Sequence, residues 1–303
     1  GRNLLDAGRV PEAEAALERA VAVLNGVARE ARGDPTFRHA LAECHMIFGY
    51  LLWEASRRRE SLENYANARE IREALAVDVP GDARNDSALA YVLNHIGYRL
   101  TLSGDRSGSL KAYEDSVKIL ERLRKQEPDN PEYRRLLAEV LSLRGRLPDV
   151  RRALQIREGL AREFPGSNLL NAELGMMLTQ VTFGKSDAEV ERQLRRACEI
   201  FERLSAIDPV ATDFRNRLAD GYVALGLLLG RTGRSTEAEA QYLKALELFG
   251  KLAADHPAVA QFRSKLATSR HILGDLLVQT GRSPEAEGEY RRALEVLEKL
   301  AAD

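Results

Sequence analysis

The sequence has few cysteines, no long apolar run and no excess of one charge. Each of these features argues against a class of protein. The chain of 303 residues has two cysteines, Cys44 and Cys198, which are too few and too far apart for a disulfide framework. No apolar run approaches the roughly 18 residues that cross a bilayer, and the first residues lack the apolar core of a signal peptide. These features predict a cytoplasmic protein with no membrane partner.

The balance of charge argues against a general nucleic-acid binder. The formal net charge is -1, so attraction to a polyanion would need a local basic patch. The run Arg57-Arg58-Arg59 is one such patch, and we interpret it as the solvated start of a helix. We therefore predict no nucleic-acid partner.

Motifs of catalysis and metal binding are also missing. The sequence contains no Gly-x-Ser-x-Gly elbow, no His-Glu-x-x-His and no kinase catalytic motif. His39, Cys44 and His45 lie close together, but on a helix residues 39 and 45 are about 120° from facing the same way. A structural zinc site needs four ligands, and no others are near in sequence. We assign no catalytic residue and no metal site.

The sequence repeats itself with a long period. The segment that begins at Phe214 matches the segment that begins at Phe262 position by position, at an offset of 48. Each unit predicts two helices, because apolar residues recur at three and four positions without the alternation typical of strands. We place one glycine in the middle of each first helix. These glycines are Gly1, Gly49, Gly97, Gly145, Gly226 and Gly274.

The corner between the two helices has its own signature. Gly233 and Gly281 each end a first helix, where a left-handed residue is needed. Ser235 and Ser283 follow as the N-cap residues that open the second helices.

The stretch Gly184-Lys185-Ser186 resembles the end of a phosphate-binding loop. However, the position that would need a glycine is Thr179, and no strand precedes it. In the repeat register the stretch aligns with the other corners. Ser186 and Glu189 therefore predict a capping box at a helix start, and no nucleotide site.

These residues resemble the tetratricopeptide repeat (TPR) family. The family's small and large positions fall on Tyr222, Leu225, Gly226 and Leu229 of one first helix, and on Ala238, Tyr242 and Ala245 of the second. The usual period is about 34 residues, and about two extra turns on each helix extend it to 48 with the same face inward. The resemblance implies an all-α fold, a right-handed superhelical solenoid of antiparallel helix pairs. The sequence of these units is similar to that of repeats appended to bacterial multidomain serine/threonine kinases and other signalling proteins.

The repeat is interrupted once. From Gly145 the template predicts a proline 31 residues on, whereas Pro165 follows after only 20. We predict N-terminal TPR-like repeats over 1–144, a degenerate, shortened repeat or joint over 145–169, and C-terminal TPR-like repeats over 170–303. Because the chain begins and ends inside the pattern, we expect it to be part of a larger protein. The resemblance implies that this is a bacterial signalling protein.

The resemblance implies a binding protein and no enzyme. In TPR arrays the first helices line a concave groove, and repeat arrays ordinarily bind rather than catalyse. We predict a protein–protein interaction scaffold or sensor module that takes a peptide or partner helix in this groove, without a cofactor. The alternative is the regulatory arm of an enzyme, a kinase or caspase-like protease, whose catalytic domain is absent from this chain.

Counting from the first-helix glycines places candidate partner-binding residues on the groove. They are Glu43, Met46, Tyr50, Trp53, Tyr91, Asn94, Tyr98, Asp220, Arg231, His271, Asp275 and Gln279. We favour the aromatic residues at the N-terminal end, because exposed aromatics supply much of the binding energy at interfaces. For Trp53 the alternative is packing against the neighbouring repeat.

Two further predictions follow from the TPR pattern. Tyr65, Tyr113, Tyr242 and Tyr290 fall at the family's buried second-helix position, so we predict that they are core residues. Some TPR domains hold a terminal carboxylate with a clamp of Lys, Asn and Arg. Only Asn94 matches that clamp, so an extended peptide or a partner helix is the better candidate.

Overall fold

The computed structural model describes residues 10–30, 34–180 and 185–302, and every regular element in those ranges is an α-helix. In chain order the helices are α1 (Val10–Glu30), α2 (Pro35–Glu54), α3 (Arg58–Asp78), α4 (Ala83–Leu102), α5 (Arg106–Gln126), α6 (Pro131–Arg144), α7 (Leu147–Glu163), α8 (Asn168–Gln180), α9 (Asp187–Ile207), α10 (Thr212–Arg231), α11 (Ser235–Asp255), α12 (Ala260–Gln279) and α13 (Ser283–Ala302). The predicted all-α fold is confirmed. Over these residues, no helix has both the length and the apolar character needed to cross a membrane.

The chain forms two compact units, Gly1–Ile156 and Arg157–Asp303. In the first unit α2 packs on α3 and α4 on α5, and in the second α10 packs on α11 and α12 on α13. These are the predicted helix pairs. The boundary between the units falls within α7, inside the region 145–169, and the division into 1–144, 145–169 and 170–303 stays a prediction.

The repeat period is visible in the helix starts. First helices begin at residues 35, 83 and 131 in one unit and at residues 212 and 260 in the other, always 48 residues apart. The first helices α2, α4, α10 and α12 have 20 residues, and the second helices α3, α5 and α11 have 21. The predicted lengthening of both helices is therefore confirmed.

A glycine in the first helix lets the tyrosine ring of the second helix approach the backbone. A Cβ atom at Gly49, Gly97, Gly226 or Gly274 would lie only 2.4–2.8 Å from a ring atom of the tyrosine 16 residues later in the chain. Three of these four tyrosines, Tyr65, Tyr113 and Tyr242, are buried as predicted. The fourth, Tyr290, is only partly buried, because no further helix packs over α13 among the described residues. Gly1 lies outside the described residues.

The corners between paired helices adopt the predicted left-handed conformation. Gly233 and Gly281 have φ angles of 80° and 78°, and Ser56 takes the same place in the first pair with φ 62°. The prediction that Ser235 and Ser283 are N-caps is wrong by one residue, because each is already the first residue of its helix. The N-cap of α11 is Arg234, which makes no side-chain capping bond, and Ser235 already lies in the first turn.

Arg234 instead joins two successive second helices. Its Nε donates to Glu237 three residues on at 2.7 Å, and its Nη1 donates to Glu191 on α9 at 2.6 Å. The same corner bridge recurs at Arg282, with Glu285 at 2.7 Å and Glu239 at 2.6 Å. It recurs once more at Arg57, with Glu60 and Glu14. In each case the second partner lies 43 residues earlier in the chain.

The middle of the chain departs from the regular lengths. Helix α6 has 14 residues, α7 has 17 and α8 has 13. Gly145 is the C-cap of α6, with a left-handed φ of 71°, so its predicted place in the middle of a first helix is wrong. Glycine serves both positions in this repeat, for close packing and for a positive φ, and spacing alone does not separate the two.

The predicted capping box at the start of α9 is confirmed. The Ser186 hydroxyl accepts from the backbone N–H of Glu189, and the Glu189 carboxylate accepts from the backbone N–H of Ser186 at 2.9 Å. Both interactions satisfy N–H groups that have no partner within the helix. Gly184 lies outside the described residues.

Candidate partner-binding site

Predicted groove residues of α2 and α4 meet around an arginine that the prediction did not include. Arg99 is 3% exposed, and its guanidinium carbon lies 5.3 Å from the ring centroid of Trp53 and 4.4 Å from that of Tyr65. On its other side Trp53 faces Arg58 at 5.6 Å. Trp53 therefore packs against the neighbouring repeat, which is the alternative stated for it, and the rings hold the buried cation by cation–π attraction.

The contact with Arg99 fixes the protonation of His95. Nη1 of Arg99 lies 3.1 Å from Nδ1 of His95. An arginine only donates, so Nδ1 is the acceptor and the neutral ring carries its proton on Nε2. Burial, assisted by the nearby positive charge of Arg99, lowers the pKa of His95 to about 4. At neutral pH His95 is thus an uncharged ring whose Nε2–H is buried without a hydrogen-bond partner among the described residues.

Asn94, next to His95 on α4, has a buried side-chain amide. It is 1% exposed, and neither atom of its amide group has a hydrogen-bond partner in the described part of the chain. Leaving such a group unpaired costs about 1–3 kcal/mol. Native structures contain few such groups, and each needs an explanation.

A second buried asparagine, in the other unit, provides the contrast. Asn171 is 5% exposed, and its Nδ2 donates to the carbonyl oxygens of Pro165 and Ser167 at 3.0 and 2.8 Å. Its Oδ1 accepts from Arg203 at 2.8 Å. Burial of an asparagine in this protein is therefore compatible with full hydrogen bonding, which Asn94 lacks.

Asn94 and His95 line a cavity between two consecutive first helices. The cavity has a volume of about 210 Å³, and its remaining walls are Tyr98 from α4 and Glu139 and Leu143 from α6. Tyr98 is 44% exposed. We refer to the surface formed by α2, α4 and α6 as the first-helix face of unit 1, and the cavity lies on it.

The other predicted residues of unit 1 lie near this cluster with different exposure. Tyr50 is 48% exposed. Tyr91 is partly buried, with its ring edge-on to His95 at 4.4 Å. Glu43 is exposed and Met46 is partly buried on α2.

The predicted residues of unit 2 are engaged with their own neighbours. Asp220 accepts two hydrogen bonds from Lys265, at 2.8 and 2.6 Å, and Arg231 pairs with Asp187. Asp220 and Arg231 are about 16 Å apart along α10 at 1.5 Å per residue, so they do not form one site.

Near the end of unit 2, His271 and Asp275 are brought together by Tyr290. The Tyr290 hydroxyl donates to Asp275 at 2.7 Å, and its ring lies 5.4 Å from that of His271. Gln279 is exposed. In the described part of the chain, no three His, Cys, Asp or Glu side chains are grouped to hold a metal ion.

Three residues near the cavity were not predicted from the sequence, although the sequence contains weak signals for two of them. His95 and Arg99 are spaced four apart on a helix, where side chains meet. Glu139 lies 48 residues after Tyr91, so the repeat register places it on the same face. Nothing in the sequence indicates that Arg99 is buried, since arginines are mostly exposed.

The architecture defines the class of protein: an array of helix pairs in which a glycine of the first helix receives an aromatic ring of the second. A family model described as "Tetratricopeptide repeat" matches residues 217–299, and a second model of the same description matches residues 1–19 and 131–155. These matches and the helix pairs support a tetratricopeptide repeat array, a scaffold fold suited to protein–protein interaction and typically non-catalytic.

Solved structures with the same fold include the following two proteins. BtubC (BKLC) from P. vanneervenii is similar with a TM-score of 0.57 and 20% identity, over 81% of this chain and 93% of that one. The C-terminal part of a TPR repeat-containing protein from Cytophaga hutchinsonii is similar with a TM-score of 0.50 and 12% identity, over 95% and 99%. At these identities the similarity concerns the fold alone. No curated protein matches the sequence.

Proposed function

We propose that the first-helix face of unit 1 binds an extended peptide segment of a partner protein, and that Asn94 hydrogen-bonds to its backbone. The observation that supports this is the burial of the Asn94 amide beside a cavity, with neither polar atom paired among the described residues. A peptide group has one donor and one acceptor, which are the two functions of a carboxamide. Binding would convert a cost of the free protein into two hydrogen bonds.

The aromatic residues give this site a rigid wall and an accessible rim. Trp53 and Tyr91 are held by Arg99 and His95, so binding orders few additional side chains. Tyr50 and Tyr98 remain about half exposed and are available for contact. Aromatic side chains of this kind dominate the energetics of many interfaces.

We also propose that the module serves a bacterial signalling protein in the cytoplasm, as a scaffold or sensor. A regulatory arm of a kinase or caspase-like protease would use the same surface. The domains encoded on either side of this chain distinguish the two: a neighbouring catalytic domain favours the regulatory arm.

The binding site is tested by selecting peptides from a randomised dodecapeptide phage library on the intact chain. Selected peptides are synthesised, and binding is followed by the fluorescence of Trp53, the single tryptophan, which lies in the site. We expect Asn94→Leu to weaken binding at least tenfold, which is about 1.4 kcal/mol. The free variant should be as stable as the parent or more stable, because an unpaired buried amide has been removed.

Asn171→Leu is the matched control. It also replaces a buried asparagine, but it breaks three hydrogen bonds in unit 2, so it should lower stability by about 1–3 kcal/mol and leave peptide binding unchanged. If the selected peptides bind the Asn94→Leu variant as tightly as they bind the unmodified chain, the binding site lies elsewhere. A library that yields no binder would refute peptide binding.

A further inference from the structure

Three arginines line a second cavity, which lies in unit 2. The cavity has a volume of about 240 Å³ and is formed by residues of α7, α8 and α9, and its polar walls are Arg162, Asn171, Arg196, Glu199 and Arg203. All three arginines are exposed, so a partner protein can reach them from solvent. The remaining walls are apolar. The cavity therefore combines accessible positive charge with a nonpolar lining.

Arg203 does not pair with the glutamate that lies one helical turn before it. The corresponding residue one repeat later, Lys251, pairs with Glu247 four residues earlier at 2.7 Å. Arg203 has Glu199 at the same spacing, but its Nη2 donates instead to Oδ1 of Asn171 at 2.8 Å, and no ion pair joins it to any described residue. Asn171 is buried and is itself held by two backbone carbonyl oxygens. A neutral group thus fixes the position of Arg203 and leaves its charge unpaired.

Arg162 is positioned by a neutral group as well. Its Nε donates to the backbone carbonyl oxygen of Glu158 at 3.2 Å, and its two Nη groups make no hydrogen bond within the described ranges. Arg196, in contrast, already pairs with the carboxylate of Glu158 at 2.6 Å. Two of the three arginines therefore keep N–H donors for a ligand. The planar fork of a guanidinium matches the two oxygens of a carboxylate.

The balance of charge around the cavity indicates the charge of the ligand. The three arginines contribute three positive charges, and Glu199 together with Glu158, the partner of Arg196, contributes two negative ones. One positive charge is left over. A single carboxylate balances it, whereas a phosphate group, which carries a charge of about −1.5 to −2, would exceed it.

We propose that this cavity receives the side-chain carboxylate of an aspartate or glutamate of a partner protein, held between Arg162 and Arg203. This is a second site, in unit 2, and it does not depend on the proposed peptide binding at Asn94. Two like charges at one cavity repel each other, so a carboxylate between them adds its own attraction and also relieves that repulsion. The apolar walls would contact the methylene groups of the acidic side chain.

The probe for this site is a fluorescein-labelled dodecapeptide of alternating glutamate and glycine with an amidated C-terminus. Its binding to the intact chain is measured by fluorescence anisotropy. We expect Arg162→Gln and Arg203→Gln each to weaken binding about fivefold, as for the loss of one exposed ion pair. The same peptide with glutamine in place of glutamate should show no binding.

Lys251→Gln is the matched control. It removes the same charge from the corresponding position one repeat later, where the charge is already paired with Glu247. The affinity of this variant should stay within about twofold of that of the unmodified chain. Since Arg162, Arg203 and Lys251 are all exposed, the variants should fold, and far-UV circular dichroism checks this.

Three results would overturn the inference. The first is that the acidic peptide does not bind the unmodified chain. The second is that Lys251→Gln weakens binding as much as Arg203→Gln, because the attraction would then come from net charge alone. The third is that the glutamine peptide with a free C-terminus binds as tightly as the acidic peptide, because the ligand would then be a chain end. The site at Asn94 is tested separately, by the peptides that depend on Asn94.

Discussion

Replacing Gly226 by alanine sets two opposing effects of known size against each other. Alanine is favoured over glycine inside a helix by about 0.5–1 kcal/mol. However, the new Cβ would lie 2.5 Å from Cε1 and 2.7 Å from Cδ1 of Tyr242, whose ring is 3% exposed and has no room to move. Overpacking of this kind costs typically about 1–3 kcal/mol. We expect a net loss of about 1–2 kcal/mol.

Gly250→Ala is the internal comparison. Gly250 lies within α11, the same helix as Tyr242, and no heavy atom is within 4 Å of the position its Cβ would take. This variant should gain about 0.5–1 kcal/mol from helix propensity. Urea unfolding followed by circular dichroism measures both. The reasoning is refuted if Gly226→Ala is stabilised as much as Gly250→Ala, because the ring would then have moved aside without cost.

Two other predictions concern titration and capping. The pKa of His95 is about 4 in the folded protein and near 6.5 when unfolded, so its neutral form contributes stability above pH 6.5 that is lost as the pH falls towards 4. Urea unfolding at pH 7 and pH 5 should show this loss in the parent and a smaller one in His95→Gln; equal losses would contradict it. Ser186→Ala should lower the free energy of unfolding by about 1 kcal/mol, since the capping box is lost. Ser235→Ala should cost less, because Ser235 does not cap its helix, and equal costs would argue against that assignment.

The helix pairs and their period could be read from the sequence because each repeat presents the same constraints again. Gly97 and Tyr113, like Gly226 and Tyr242, mark a single contact between paired helices. The prediction for Gly145 was wrong because the residue type is the same at a corner and at a close contact. Only the backbone angle separates these two uses.

The binding role of the candidate site residues stays a prediction, and only their place in the repeat follows from the sequence. The resemblance to TPR arrays placed Asn94 and Tyr98 on one face of a first helix, and both line the cavity on the first-helix face. It did not give their exposure, because whether a residue is covered depends on the neighbouring repeat. Thus Asn94 is buried while Tyr98 is 44% exposed. Arg99 lies on α4, and its burial arises from rings contributed by both helices of the preceding pair, α2 and α3, a combination that one helical pattern does not contain.

The arginine bridge at the corners recurs with the repeat, so it is kept when the length of the array changes by whole repeats. Arg234 and Arg282 each reach a glutamate 43 residues earlier, in the preceding second helix. When a block of 48 residues is duplicated or removed as a whole, the corner arginine at the new junction again faces a glutamate at the same offset. An insertion of any other length separates the two charges. Growth and shrinkage of the array by complete repeats therefore preserve this bridge, and protein engineers could lengthen unit 2 at this joint without redesigning it.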